Sequence, residues 1–353
     1  DIIRDNVRVP DQVIGDLWAQ VAANRMLGQR LLDTLQETGC DLQAIGSEIQ
    51  ARSERAMREA IVALPDGVYE NEISVDGFVE PVTIRCRIDV RGDSVAIDYA
   101  GSSPQLPRAI NVVPIYTFAY SAYALKCVLA PNVPNNDGSF RAIQVSAPLG
   151  SILNPRFPAA VSARAMTGHL IPPAIMGALA SVAPDKVSAA PGSPLWCVHL
   201  SGANGGKRFA STFFLNGGQG ATSHADGLPT LSFPSNLSNT PIEVMETQAP
   251  IRVLRRALRE GTGGDGLHRG GDGQVFEMLM LGDAPVTASF MADRLKTPAP
   301  GLLGGEAGAV GRVLLDGKPV DPREILTIEP GARLTLETPG AGGFGAAPGR
   351  TSA

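Results

Sequence analysis

Few residues of this chain are placed to do chemistry by themselves. The four histidines, His169, His199, His224 and His268, are scattered. No HxxxH or HExxH spacing puts two imidazoles on one helical face, as a zinc site of that kind needs. Each reads as an ordinary surface or core histidine. The four cysteines, Cys40, Cys86, Cys127 and Cys197, form no CxxC pair and read as buried free thiols of a reducing cytoplasm. A metal site made wholly within the chain is therefore not expected. No GxSxG elbow occurs, and Ser102 and Ser103 lie in a Gly-Ser-Ser-Pro turn where serine is an ordinary turn former. Without a Walker A loop or a GxGxxG that opens a helix, no ATP site of those types is expected. Gly263-Gly264 and Gly270-Gly271-Asp272-Gly273 have the make-up of anion-binding nests and, more simply, of tight turns.

The stretch 217–248 is different. Gly217-Gly218-Gln219-Gly220-Ala221 and Asp226-Gly227 lead to Asn236, Asn239, Thr240, Pro241, Glu243 and Glu246. Glycine lets backbone approach a ligand closely, and amides and carboxylates supply directional hydrogen bonds. A polar, aperiodic loop of this length inside a folded chain is a site or interface, or else a structural loop satisfied by its own amides. Both readings stand at this point.

The elements that must position these residues follow from periodicity. After Pro10, residues Val13, Ile14, Leu17, Val21, Leu31, Leu32 and Leu35 recur at helical spacing up to Gly39. A second helix carries Leu42, Ile45, Ile49, Ala56 and Ala60 and is closed by Pro65, so 1–66 reads as a helical hairpin. The period then becomes two: Val82, Ile84, Cys86, Ile88 and Val90 alternate with polar residues, and Val95, Ile97 and Tyr99 follow after Arg91-Gly92-Asp93. With Tyr69, Ile73 and Val75 this is a three-stranded antiparallel meander, which with a helix at 116–129 fills 67–130. The region 131–260 reads as irregular and loop-rich, with one helix within 161–182 and a strand at 209–215. The region 261–353 reads as a β-rich lobe with strands at 275–281 and 286–291 and three short strands in 310–338. Strands and helices mix without βαβ alternation, so the fold class is α+β.

Composition bounds the function. The chain has 353 residues, net charge −5, 44% hydrophobic and 18% charged residues. No basic stripe or aromatic-plus-basic pattern suits nucleic acid. No apolar run of about 18 residues suits a membrane span. The 40 glycines and 28 prolines exceed the roughly 12% usual for the pair and punctuate many turns. The chain starts at Asp1 within a helix lead-in, with no signal peptide, and is expected to be a fragment or a processed chain.

Several blocks, taken in order, resemble one family. Arg8-Val9-Pro10 with Gly15-Asp16-Leu17-Trp18-Ala19-Gln20 comes first. Asp98-Tyr99-Ala100-Gly101-Ser102-Ser103-Pro104-Gln105, the segment Asn135-Asn136-Asp137-Gly138-Ser139-Phe140-Arg141 and Gly150-Ser151-Ile152-Leu153-Asn154-Pro155 follow. Then come Pro158-Ala159-Ala160-Val161-Ser162-Ala163-Arg164, Asn239-Thr240-Pro241-Ile242-Glu243, Arg269-Gly270-Gly271-Asp272-Gly273 and Gly342-Gly343-Phe344-Gly345. Together they resemble the B-type subunit of the hydantoinase B, 5-oxoprolinase and acetone carboxylase family, in its carboxyl-terminal portion.

The resemblance implies a cytoplasmic complex with an A-type subunit that uses ATP to phosphorylate an amide or ketone oxygen. It implies small cyclic amides as substrates, or ketones in the carboxylase branch, and no cofactor within this chain. It places a divalent metal on ligands before the Arg-Val-Pro block, outside this sequence. Phosphorylation would turn a resonance-stabilised amide into an electrophile that water can attack. Glu243 and Glu246 are then candidates to position water or a substrate N–H. Arg164 is a candidate for bidentate binding of a carboxylate or phosphate. Asp226, Asn236, Asn239 and Arg269 are candidates for substrate or interface contacts. For each, a structural ion pair is the competing role. The family carries arginine where this chain has His169 and lysine where it has His224, so charge-based roles are not carried over to those two positions. A non-catalytic part that holds the assembly together is the reading from another class.

Overall fold

The computed structural model describes residues 1–7, 9–77, 80–193, 195–231 and 233–347, so Arg8 of the first family block lies outside them. A short helix α1 (Ile2–Asn6) precedes α2 (Pro10–Thr38), which begins on proline, where the missing N–H is not needed. α2 ends at Gly39, whose left-handed φ of 64° lets its N–H reach Leu35 O at 3.0 Å. The apolar stripe of α2 is left open, and none of its residues is buried. The next helix, α3 (Leu42–Val62), starts on Asp41, whose carboxylate accepts the N–H groups of Gln43 and Ala44, and it buries Ser53, Met57 and Ile61.

The meander is present as β1 (Gly67–Val75), β2 (Val82–Arg91) and β3 (Ser94–Asp98). The alternating Val82, Ile84, Cys86, Ile88 and Val90 all point into the core. Ser103 and Ser102 accept the Thr83 and Arg85 N–H groups at 2.9 and 3.0 Å, an ordinary turn role. After α4 (Pro114–Leu129) and a 3-10 turn at Asp137–Phe140, β4 (Ile143–Ser146) adds a fourth strand, parallel to β3. The Asn-Asp-Gly-Ser-Phe-Arg block is a clip on α3. Asn136 donates to Ser53 Oγ at 2.8 Å, and Arg141 pairs with Glu54 at 3.1 Å. Lys126, buried in α4, donates to Val133 O at 2.7 Å and Asn135 Oδ1 at 2.6 Å and holds this segment from within.

The single helix read within 161–182 is two, α5 (Ala165–Gly168) and α6 (Ile171–Leu179), because Pro172 and Pro173 open a new first turn. The rest of 131–260 is richer in structure than its sequence suggests. β5 (Trp196–Asn204) and β6 (Lys207–Leu215) form a hairpin, and α7 (Ile242–Gln248) leads to β7 (Ile251–Arg259). β7 was hidden because a register shift between Val253 and Arg255 breaks its alternation. β8 (Gly273–Met280) and β9 (Val286–Met291) lie where expected, and the tail has four strands rather than three: β10 (Arg312–Leu315), β11 (Lys318–Pro319), β12 (Leu326–Ile328) and β13 (Arg333–Glu337). Two further sheets result, ordered β11-β10-β13-β8-β7 and β12-β9-β5-β6. They share one core of Trp196, Phe213, Phe276, Met278, Leu334 and neighbours, while the β1–β4 sheet shares another with α3, α4 and α6. The architecture is α+β.

Glycine-rich segments from four parts of the chain form a backbone layer between these cores. Gly271 N–H bonds Gln219 O at 2.9 Å, Ala341 N–H bonds Gly271 O at 3.0 Å, Gly342 N–H bonds Ala190 O at 2.9 Å, and Gly264 N–H bonds Ala341 O at 2.8 Å. Side chains are excluded by distance. A Cβ on Gly218 would sit 1.8 Å from Gly271 O, and one on Gly263 would sit 1.7 Å from Gly270 O. We predict that Gly218→Ala costs at least about 2 kcal/mol in urea unfolding, the scale of a forced overpacking. Gly46→Ala, on α3 with nothing within 4 Å, should instead gain up to about 1 kcal/mol. Equal effects of the two changes would remove the layer from its structural role.

Candidate functional site

The first half of the polar loop, 217–228, belongs to the backbone layer. Gln219 N–H bonds Leu228 O at 3.0 Å, and Gly227 N–H bonds Arg269 O at 2.8 Å. Asp226 accepts the Arg269 backbone N–H at 2.8 Å and lies 3.5 Å from His268 Nδ1. Arg269 lies 3.5 Å from Asp265 and 3.9 Å from Asp272. Of the two glycine-rich candidates, Gly263 does take part in an anion-holding turn, together with Thr262, but the anion is internal: Asp272 accepts the N–H groups of Thr262 and Gly263, each at 2.8 Å. Asp226 and Arg269 thus have structural partners.

The last bond to the backbone layer is from Thr230 N–H to Asp272 O at 3.0 Å, and beyond it the loop is more open. Asn236 is exposed in the left-handed region at φ 52°, which asparagine tolerates better than most residues. The Asn239 carboxamide oxygen accepts from Arg256, which also donates to Thr240 O at 3.1 Å. The two candidate carboxylates ride on α7 and differ. Glu246 accepts the Val253 N–H at 2.7 Å, satisfying backbone at the β7 register shift. Glu243, in the first turn, is exposed and has no hydrogen bond or ion pair among the described residues.

Arg164 stands at the start of α5. Its guanidinium lies 5.4 Å from the Tyr116 ring centroid, and Nη1 donates to Val161 O at 3.3 Å. Among the described residues it meets no carboxylate, which leaves most of its fork open for an anion. Tyr116 stacks on Tyr120 at 4.5 Å with the rings 9° apart, and Tyr120 leans on Tyr123 at 6.1 Å. Tyr123 in turn lies 6.1 Å from Phe233 of the open loop. This aromatic shelf joins Arg164 to the loop; the described contacts do not join Arg164 to Glu243. Sequence reasoning overlooked the shelf, although three of the chain's five tyrosines recur at i, i+4 and i+7 on α4. Close by, Met176, Gln219, His224 and Phe233 line a recess of about 240 Å3.

His169 is part of the shelf, its ring centroid 5.4 Å from that of Tyr120. It is buried, its Nε2 is 3.1 Å from the Tyr120 hydroxyl, and burial pulls its pKa down to about 4. It is a neutral hydrogen-bonding group at pH 7. His199 bridges Cys197 Sγ at 3.3 Å and Thr212 Oγ1 at 2.7 Å. Burial pushes the Cys197 thiol up to about 12, so this pair supplies no thiolate nucleophile near neutrality. Cys86 is also buried and Cys127 partly so, but Cys40 is exposed, contrary to the reading of all four as buried. No grouping of three His, Cys, Asp or Glu side chains that could hold a metal ion occurs among the described residues. No helix among them is long and apolar enough to cross a membrane.

Comparison with known proteins places these features in context. The family model described as hydantoinase B/oxoprolinase matches residues 1–347. The B component of a D-/L-hydantoinase, described as putative, from Pseudomonas sp. (strain NS671) is 32% identical over 98% of this chain. The crystal structure of the ATP-dependent caprolactamase from Pseudomonas jessenii superposes with a TM-score of 0.83 at 26% identity, covering 97% of this chain and 62% of that one. Nucleotide-free acetone carboxylase shares the fold, with a TM-score of 0.83 at 18% identity over 97% of this chain and 54% of that one. The chain spans 62% of the length of the hydantoinase component it matches.

His169 makes a pH prediction. Its folded pKa lies below the ordinary value of about 6.5, so the unfolded chain binds the extra proton first. Stability is full above that value and falls as pH drops toward about 4. We predict a loss on the order of 3 kcal/mol across this window. His169→Gln should flatten that part of the pH–stability curve in urea titrations; an unchanged slope would place the titration elsewhere.

Proposed function

The chain belongs to the hydantoinase B/oxoprolinase family, and from that premise we propose that it forms part of the B-type subunit of an ATP-dependent cyclic-amide hydrolase. In this reading an A-type partner activates the amide oxygen with ATP. No residue of this chain is assigned to the divalent metal that the family implies. This chain's part is to bind and orient the activated species.

The observation that supports this role best is Arg164: a guanidinium over an aromatic ring, with no carboxylate partner among the described residues. An arginine paired internally would have little left to offer an anion. This one presents a planar fork suited to a carboxylate or phosphoryl group. Tyr116 and Tyr120 supply a flat apolar surface beside it, on which a small ring can lie. Glu243 supplies an uncommitted carboxylate from the same loop that delivers Phe233 to the shelf. Glu246, tied to the Val253 N–H, serves this arrangement by fixing the end of α7. Ketone carboxylation is the alternative chemistry of the same scaffold, carried by fold likeness alone. A purely structural part is the other alternative, favoured by the internal partners of Asp226, Asn239, Glu246 and Arg269.

The test is the complete B-type protein assembled with its ATP-using partner and assayed for ATP-coupled opening of a cyclic amide. We predict that Arg164→Lys, which keeps charge but loses the fork, and Glu243→Gln, which keeps shape but loses charge, each lower turnover on the order of a hundredfold. Assembly and Tm should hold. Glu246→Gln retains an acceptor oxygen for Val253 and should change turnover by less than about threefold. Near-normal turnover in both Arg164→Lys and Glu243→Gln would leave the structural role standing and the site assignment wrong.

A further inference from the structure

Where the β1–β4 sheet meets the carboxyl-terminal sheets, the fold forms a chamber of about 470 Å3. That lies within the roughly 300–1,000 Å3 typical of small-molecule sites. Its walls are mainly apolar, from Val82 and Ile110 on one side to Val313 and Val320 on the other, with Met166 and Thr167 of α5 between. The charged groups around it are nearly all in use. The Asp76 carboxylate accepts three backbone N–H groups, those of Leu295, Lys296 and Thr297, which ties the β1–β2 connection to the far lobe. Asp293 accepts the Trp196 indole N–H at 3.2 Å. Asp321 accepts from Arg323 Nε at 2.8 Å, and Arg312 pairs with Glu337 at 2.9 Å.

Two polar groups of the lining are uncommitted to any hydrogen bond among the described residues: the Lys296 ammonium and the Thr167 hydroxyl. Lys296 is exposed at the rim, where its charge acts on the Asp321 carboxyl only from a distance, and Thr167 is buried in the wall. An apolar volume with one available ammonium and one available hydroxyl, and with its carboxylates already hydrogen-bonded, matches one ligand chemistry. The ligand carries a short aliphatic body and a single anionic head that accepts hydrogen bonds. An amine of the same shape would be repelled by Lys296 and would have to share carboxylates that are already hydrogen-bonded. We propose that this chamber is a binding site for small aliphatic carboxylates, with Lys296 and Thr167 holding the carboxylate and the chamber walls holding the chain. The proposal rests on this chain's own geometry, not on the amide-opening reaction. It puts a ligand against α5, whose first turn is entered from Arg164.

Isothermal titration of the 353-residue chain with hexanoate, hexanamide and hexylamine tests it without any activity assay. Hexanoate should bind saturably in the millimolar range or tighter, hexanamide more weakly, and hexylamine not detectably. Lys296→Met, a change at an exposed rim position, should weaken hexanoate by about tenfold or more, the loss of one charge-assisted hydrogen bond, and leave hexanamide unchanged. Val320→Trp, checked for folding by circular dichroism, should abolish binding of both by filling the chamber; should it not fold, Met166→Phe takes its place. Absence of hexanoate binding, equal binding by wild type and Lys296→Met, hexylamine binding as tightly as hexanoate, or hexanoate binding that a folded chamber-filling variant does not weaken would each overturn the proposal.

Discussion

Backbone lying directly on backbone is the constraint on which this molecule depends. The segments around Gly218, Gly263, Gly271 and Ala341 approach so closely that a methyl group at the first two positions would overlap a carbonyl oxygen. Close approach pairs peptide groups that would otherwise be buried without partners, which is the costly alternative inside a folded chain. The layer has mechanical consequences. Ala221, Ala299 and Phe344 extend from it into the core of the β1–β4 sheet, while β8 and β13 run from it into the core of the paired sheets. Two hydrophobic cores that share few strands are thereby held in one register.

The same constraint divides the polar loop. Up to Leu228 its hydrogen bonds are made to the glycine layer, so its geometry is set by the fold. Beyond that point the chain carries Thr230 and Asn236 at positive φ and exposes about half of its described residues until α7 begins. A rigid base with an open rim suits recognition, because the rim is held at one end and its side chains remain available. Phe233 is where the rim returns to the protein, against Tyr123. The result is that Arg164, carried by a different part of the chain, and the loop face one surface made by α4.

What could be read from the sequence divides along physical lines. The meander was legible because one buried face forces strict alternation on β2, and Val82 through Val90 obey it. α3 was legible as a helix, but the face read from Leu42, Ile45 and Ile49 is exposed and the buried one carries Ser53, Met57 and Ile61; α2 shows likewise that a helical pattern does not say which stripe is covered. β5 and β7 were not legible: the outward faces of β5 carry His199 and Ser201, and β7 is arginine-rich with a register shift, so neither shows a clean period. Among the site residues, spacing could not separate Glu243 from Glu246. They lie three residues apart on one helix, and only the position of the Val253 N–H distinguishes a tethered carboxylate from a free one. The tyrosine shelf was visible at i, i+4, i+7, but the pattern alone reads equally well as core packing.

The charge state of His169 follows from its surroundings. Position 169 is almost wholly enclosed, beside Tyr120 and its stacked neighbour Tyr116, and a permanent cation there needs an anionic partner to offset its desolvation. No acidic side chain of this chain is among its described contacts. Histidine resolves the conflict by losing its proton, which its depressed pKa records. The shelf then carries one permanent positive charge, on Arg164. With a neutral imidazole at its inner end and a guanidinium at its outer end, the surface favours a ligand with one anionic group placed toward Arg164 and an uncharged hydrogen-bonding group placed toward His169.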